Sequence, residues 1–193
     1  MAAAAQPLRI LALTGSLRKL SANSALLRFA QAAAPALGAE LLLADVALPL
    51  FDADVEAAGL PEPVRALRAL AASCGAVILA TPEYNYSMSP VTSNAIAWLS
   101  RAGAEGKSPI AGKPAALVSA GGGAGGLRAQ MHARDSLQFL DMKLLNKPEM
   151  TLNIFDGTQR FDKATGDLTD GPTQERLKAV LAALVAWTAQ CAK

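Results

Sequence analysis

The sequence predicts an α/β protein: a five-stranded parallel sheet of order 2-1-3-4-5 between two layers of helices. Two observations predict this three-layer sandwich. An apolar run followed by a helical stretch recurs five times along the 193 residues. The runs are continuously apolar rather than alternating, as strands covered on both faces are. The length suits one domain, residues 1–193, around one core. Five units fit this order better than a six-stranded arrangement.

Each element follows from its residues. Leu8 to Leu13 (LRILAL) is the first strand and ends in Thr14-Gly15-Ser16. A helix follows from about Asn23 to Ala36, with Leu26, Leu27 and Ala30 at helical spacing. Glu40 to Val46 is the second strand; after a Pro-rich loop, Pro61 opens a helix carrying Val64, Leu67 and Leu70. Ala76 to Ala80 (AVILA) is the third strand and stops at Thr81-Pro82. Ser89 caps a helix from Pro90 to Arg101, with Val91, Ala95, Trp98 and Leu99. Lys113 to Ala120 is the fourth strand, followed by the glycine run Gly121 to Gly126 and a helix over Leu127 to Leu140. Met142 to Ile154 holds a fifth strand interrupted at Pro148, Phe155 to Pro172 a polar loop, and Thr173 to Ala189 a closing helix. The predicted arrangement is flavodoxin-like.

Composition excludes several functions. The hydrophobic fraction of 52% includes 42 alanines, so the larger core formers are ordinary in number. A formal net charge of +2 gives no broad field for nucleic acid or an anionic membrane. One histidine and two distant cysteines make neither a metal cluster nor a disulfide framework. Met1 to Leu8 lacks the basic start and apolar length of an export signal, and no apolar run is long enough to span a membrane. Reduced thiols at Cys74 and Cys191 fit a cytoplasmic protein.

In a sheet of this order, ligands sit beyond the carboxyl ends of the strands where the order reverses. Three loops at that end are unusual. Gly15 to Ser24 joins a strand to a helix, and Ser16, Ser21, Ser24, Asn23 and Arg18 supply donors suited to a phosphate monoester. The same loop also reads as a serine-rich cap with a solvated Arg and Lys. Pro82 to Pro90 carries two tyrosines, an amide and a methionine, suited to a flat aromatic ligand. Within it, Glu83 reads either as an acid–base group or as a carboxylate that is exposed or at a helix start. Gly121 to Gly126 permits close approach of a ligand, or serves as a flexible connector.

No Walker motif, G-x-G-x-x-G fingerprint or G-x-S-x-G elbow occurs, and His132 alone supports no catalytic triad. Arg128 and Arg134 read as surface groups, partners of Glu149, or contacts for a nucleotide phosphate. Asp162, Asp167 and Asp170 lack a calcium-loop register and read as a turn-rich loop. Cys74, without a basic neighbour in sequence, reads as buried and inert.

G-S-L-R-x-x-S-x-N near the N-terminus and P-E-Y-N-Y-S…N-A-I-x-W-x-S-R after the third strand closely resemble the NADPH-dependent FMN reductase family. Gly125 to Gln130, Phe139-Leu140-Asp141, Asn146 to Glu149 and Phe161 to Asp170 resemble it too, so the likeness covers nearly the whole chain in order. It implies non-covalent FMN, with NADPH or NADH as co-substrate and a quinone-like electron acceptor, chromate, azo compound or free flavin. By matching positions, Ser16, Arg18, Ser21, Asn23 and Ser24 would hold the phosphate. Pro82, Glu83, Tyr84 and Asn85 would line the isoalloxazine, and Ser119, Gly121 and Gly122 would close the third side. The chemistry would be the cofactor's, so no catalytic side chain is expected. The resemblance also implies a homodimer or homotetramer, for which Met88, Trp98 and Leu99 are candidate contacts. The family commonly has a glycine and a Leu-Lys pair before N-A-I-D-W, where this chain has Pro90, Thr92 and Ser93, with Ala97 in place of the acid. These departures are expected to lie beyond the flavin loop. An electron carrier without NAD(P)H turnover is the alternative, disfavoured by the charge and the Ser/Arg loop. A relative that has lost FMN is disfavoured by the intact motifs.

Overall fold

A computed structural model describes residues 6–103 and 106–192; Met1 to Ala5, within the segment read for export, lie outside it. Among the described residues eight strands and six α-helices follow one another: β1 Leu8–Thr14, α1 Ala22–Ala33, β2 Ala39–Leu43, α2 Ala53–Ala58, α3 Glu62–Ala72, β3 Ala76–Ala80, β4 Glu83–Tyr84, β5 Ser87–Met88, α4 Pro90–Leu99, β6 Pro114–Gly121, α5 Leu127–Gln138, β7 Lys143–Leu144, β8 Met150–Asn153 and α6 Gly171–Cys191. The main sheet runs β2-β1-β3-β6 and is parallel throughout, with β7 and β8 both pairing β6. The expected order is therefore present. The expected fifth strand is two short pieces in one position, split around Pro148, which has no N–H to give a ladder.

Alternation places a strand's successive side chains on opposite faces, so a strand covered on both must be apolar at every position. Ile10 and Ala12 face α1 and α6 in one core with Leu26, Ile78, Val118, Leu177 and Leu181. Leu11 and Leu13 face the other core, with Leu67 of α3, Leu99 of α4 and Leu137 of α5.

Trp98 and Leu99 are fully buried (0% exposed), so these two expected assembly contacts belong to the interior. The Trp98 ring meets Phe51 edge to face at 4.9 Å and donates from Nε1 to the Pro49 carbonyl at 2.8 Å. The loop after β2 is thereby pinned to α4, and it contains the short helix α2 that apolar spacing does not reveal. Cys74 is buried and burial pushes its thiol up, as an inert cysteine requires. A basic residue does reach it in space: Lys113 Nζ donates to the carbonyls of Ala71 (2.7 Å) and Cys74 (2.5 Å) at the end of α3.

The segment between β8 and α6 is turn-rich, as expected, and is held by carboxylates. Arg160 forks onto Asp156 and holds its carboxyl far below the usual range. Asp162 accepts from the Thr165 and Ala164 N–H, Asp167 from Arg28, and Asp170 from Thr173, and each is lowered accordingly. A depressed carboxyl contributes stability that is present above its unfolded pKa, about 3.9, and is lost as pH falls through its lower folded value. This segment is therefore expected to open first in acid. Pepsin digestion between about pH 4 and pH 2 should cut within 155–170 before it cuts the sheet. First cleavage elsewhere would contradict this.

Candidate functional site

The site begins where β1 ends. Gly15 donates its N–H to the Ala80 carbonyl (2.7 Å), which fastens the first loop to the end of β3. Ser89 Oγ donates to the Gly15 carbonyl (2.6 Å) and caps α4 by accepting from the Thr92 N–H (3.1 Å). Thr92 Oγ1 in turn donates to Thr81 Oγ1 (2.9 Å), and all three hydroxyl residues are buried. Thr92, expected to lie beyond the flavin loop, is instead packed against Gly15: a Cβ built there would be 2.4 Å from its Oγ1.

Beyond Gly15 the loop turns into α1. Ser21 caps the helix by accepting from the Ser24 N–H (3.4 Å), which leaves the N–H groups of Ala22 and Asn23 without intrahelical partners. Ser16 and Ser21 are buried, whereas Arg18 is exposed at the rim. Asn23 is committed to the protein: its Nδ2 donates to the Ala120 carbonyl (2.8 Å) and its Oδ1 accepts from the Ala120 N–H (2.9 Å). Ser24 shares a hydroxyl hydrogen bond with Thr14 (2.8 Å).

The second loop is a hairpin rather than an open loop. Strands β4 and β5 pair antiparallel, with Asn85 (φ 52°) and Tyr86 (φ 62°) at its tip. Left-handed backbone at both central residues is the turn that matches strand twist, normally supplied by Asn-Gly. Glu83 accepts from the Arg128 N–H (3.1 Å) and from its guanidinium (3.2 Å). Its carboxylate does sit at a helix start, although the helix is α5 and not α4. The Arg128 guanidinium lies 4.2 Å from the centre of the Tyr86 ring, and Ser87 Oγ lies 2.8 Å from His132 Nδ1. Three contacts thus fix the hairpin to one face of α5. Arg134 reaches Asn146 (3.0 Å), and Glu149 pairs with Lys147 instead of either arginine.

The third loop is held from behind. Ser119 is fully buried, donates to the Gly125 carbonyl (2.7 Å) and accepts from Gln130 Nε2 (2.8 Å). Gln130 also donates to the Met150 carbonyl (2.7 Å). Gly126 (φ +89°) passes so close that a Cβ would be 2.6 Å from that of Ser119.

Between the loops lies a cavity of about 160 Å³ lined by Ser16, Arg18, Ser21, Ala22, Asn23, Pro82, Glu83, Tyr84, Ala120, Gly121, Gly122, Ile154 and Phe155. It adjoins a wider cleft of about 650 Å³ lined by Glu83, Asn85, Tyr86, Gly122, Gly123, Ala124 and Arg128. The two share Glu83 and Gly122; the small cavity lies at the carboxyl ends of β1, β3 and β6, and the wider cleft beyond those of β3 and β6. Ser24 and Ser119 line neither, and Asn85 lines only the wider cleft. Ile154 and Phe155 escaped the sequence reading because they read as the end of the fifth strand and the start of a polar loop, with no motif of their own.

The amino-acid sequence matches NADPH-dependent FMN reductase over residues 8–157. This chain belongs to that family. It is 44% identical over 187 residues to an NADPH:quinone oxidoreductase of Arabidopsis thaliana, covering 94% of this chain and 92% of the relative. It is 42% identical over 182 residues to an NAD(P)H-dependent FMN reductase of Pseudomonas aeruginosa, covering 93% and 95%. Among solved structures, the flavoenzyme NAD(P)H:(acceptor) oxidoreductase FerB of Paracoccus denitrificans superposes with a TM-score of 0.81 at 29% identity, covering 94% of this chain and 97% of that one. Of the stretches that carry the resemblance, the G-S-L-R-x-x-S-x-N loop and the start of P-E-Y-N-Y-S line the small cavity, whereas Phe139 to Asp141, Asn146 to Glu149 and Phe161 to Asp170 do not. Among the described residues, no helix is long and apolar enough to cross a membrane.

Proposed function

We propose that this chain is a single-domain, FMN-dependent NAD(P)H oxidoreductase that passes hydride from NAD(P)H through non-covalently bound FMN to quinones or similar acceptors. The observation that carries the reading is the convergence of three loops on one cavity at the point where the strand order reverses. The residues present fit FMN. The phosphate end offers hydroxyls, first-turn N–H groups and Arg18, while the one acidic lining residue, Glu83, is neutralised by Arg128. When bound, FMN supplies the two-electron chemistry.

The chain's own residues bind, orient and exclude water. Ser16, Ser21 and Arg18 hold the phosphate. Pro82, Glu83, Tyr84 and Asn85 present backbone groups to the ring system, and Gly121 and Gly122 let it approach. Asn23, Ser24 and Ser119 act one layer back, keeping the loops in place through the hydrogen bonds described above. No side chain is assigned to proton or hydride chemistry. We further propose a cytoplasmic homodimer or homotetramer, consistent with two free thiols and with exposed apolar side chains such as Leu50 and Phe139.

The test is an absorption spectrum after FMN addition and desalting, followed by NADPH and then NADH under nitrogen. A retained flavin band that bleaches supports the reading. Retained flavin that neither nucleotide bleaches would favour an electron carrier, and no retained flavin would overturn the cofactor assignment. Arg18→Ala is expected to weaken FMN binding by about 1–3 kcal/mol, the scale of a lost charged hydrogen bond. Unchanged affinity in a fluorescence titration would remove Arg18 from the phosphate site.

A further inference from the structure

Phe155 stands in water at the mouth of the cavity. It is 79% exposed, yet it lines the same cavity as the phosphate loop and takes no part in either core. Its ring lies over Gly122, the residue shared by the small cavity and the wider cleft. A Cβ built on Gly122 would be 3.7 Å from Phe155 Cδ2. A side chain at position 122 would stand against the ring, and glycine leaves that face bare.

The backbone that carries the ring is braced on both sides. Ile154 donates its N–H to the Gly121 carbonyl (3.0 Å), and Phe155 donates its own to Asn153 Oδ1 (2.9 Å). Arg160 donates to the Asn153 carbonyl (3.0 Å) and to both oxygens of Asp156 (2.6 Å each). One guanidinium thus ties the residues two before and one after Phe155. An exposed phenyl ring on a fixed backbone offers a flat apolar face that a planar ring can cover.

We infer that Phe155 is the stacking wall of the cavity, a specificity-determining residue that receives a flat conjugated ring, either the flavin's or the acceptor's. The inference rests on the functional reading above. It assigns Phe155 to ring binding and leaves hydride transfer untouched.

The test compares the parent with Phe155→Ala and Phe155→Tyr. FMN affinity is measured by titrating the apoprotein, and steady-state rates are measured at saturating FMN with menadione and with hexacyanoferrate(III). If the ring is the flavin's, Phe155→Ala weakens FMN binding about tenfold, the scale of one aromatic stacking contact. If it is the acceptor's, FMN affinity holds while the KM for menadione rises about tenfold and turnover of the non-planar hexacyanoferrate is retained. In either case Phe155→Tyr restores the parent value. Equal FMN affinity and equal menadione KM in Phe155→Ala would overturn the inference. So would a uniform loss with both acceptors that Phe155→Tyr does not rescue. Failure of the parent itself to bind FMN would instead sink the functional reading.

Discussion

Gly15→Ala is expected to lose about 2–4 kcal/mol of stability and its retained flavin together, from the addition of one methyl group. The added Cβ would lie 2.4 Å from Thr92 Oγ1, 2.8 Å from Pro82 Cδ and 3.0 Å from Ser89 Oγ. None of these atoms can yield cheaply. Ser89 and Thr92 are buried and hydrogen-bonded to Gly15, to Thr81 and to each other, and Pro82 is a ring on the end of β3. Overpacking of a fixed site costs about 1–3 kcal/mol, and loss of the Ser89 to Gly15 hydrogen bond adds about 1 kcal/mol. The strain falls between the phosphate loop and the ring-facing loop, so their spacing must open. Gly123→Ala is the control, because a Cβ at Gly123 meets nothing within 4 Å. Melting temperature and flavin retention are the readouts. A Gly15→Ala protein that melts with the parent and keeps its flavin would show that the two loops are not locked.

The same hydroxyl cluster shows where sequence reasoning stops. The strands were legible because a doubly covered sheet demands apolar residues at every position, and runs such as AVILA have few other uses. The loops were legible because strand order fixes the end at which they gather. Side-chain partners distant in sequence were not. Ser119 looks like a ligand contact in sequence, and only folding shows its hydroxyl spent on Gly125 and Gln130. Thr92 reads as one more position on a helix until Gly15 is seen against it. The β4–β5 hairpin was hidden because each strand has two residues and its turn uses Asn-Tyr where Asn-Gly is the usual signal. Trp98 and Leu99 carry no mark distinguishing an interior from an interface, and burial alone decides it. The short helix α2 did leave a sign: Asp52 accepts from the Asp54 N–H (2.8 Å), a cap written in the sequence ahead of a stretch with no buried face.

Asn23 separates the two ways a residue can serve a binding site. Matching of motifs placed it on the phosphate, whereas its carboxamide holds both polar groups of Ala120, 97 residues away, and is 3% exposed. The last ladder pair between β3 and β6 is Ala80 with Val118, so Ala120 projects beyond the end of its neighbour. The Asn23 amide stands in for the missing strand, supplying both the donor and the acceptor that two further residues of a longer β3 would give Ala120. Asn23→Ala leaves a buried N–H and a buried C=O unpaired, each costing about 1–3 kcal/mol, so a loss of about 2–6 kcal/mol is expected. Flavin should be lost in proportion as α1 parts from β6. Asn23→Asp is expected to fare no better, since it keeps the acceptor for the Ala120 N–H but sets a carboxylate oxygen against the Ala120 carbonyl. Denaturant melts of the apoproteins alongside FMN titrations make the decision. Full stability with weakened FMN binding in Asn23→Ala would return the amide to the phosphate. Parallel losses would make it the strut on which the phosphate loop stands.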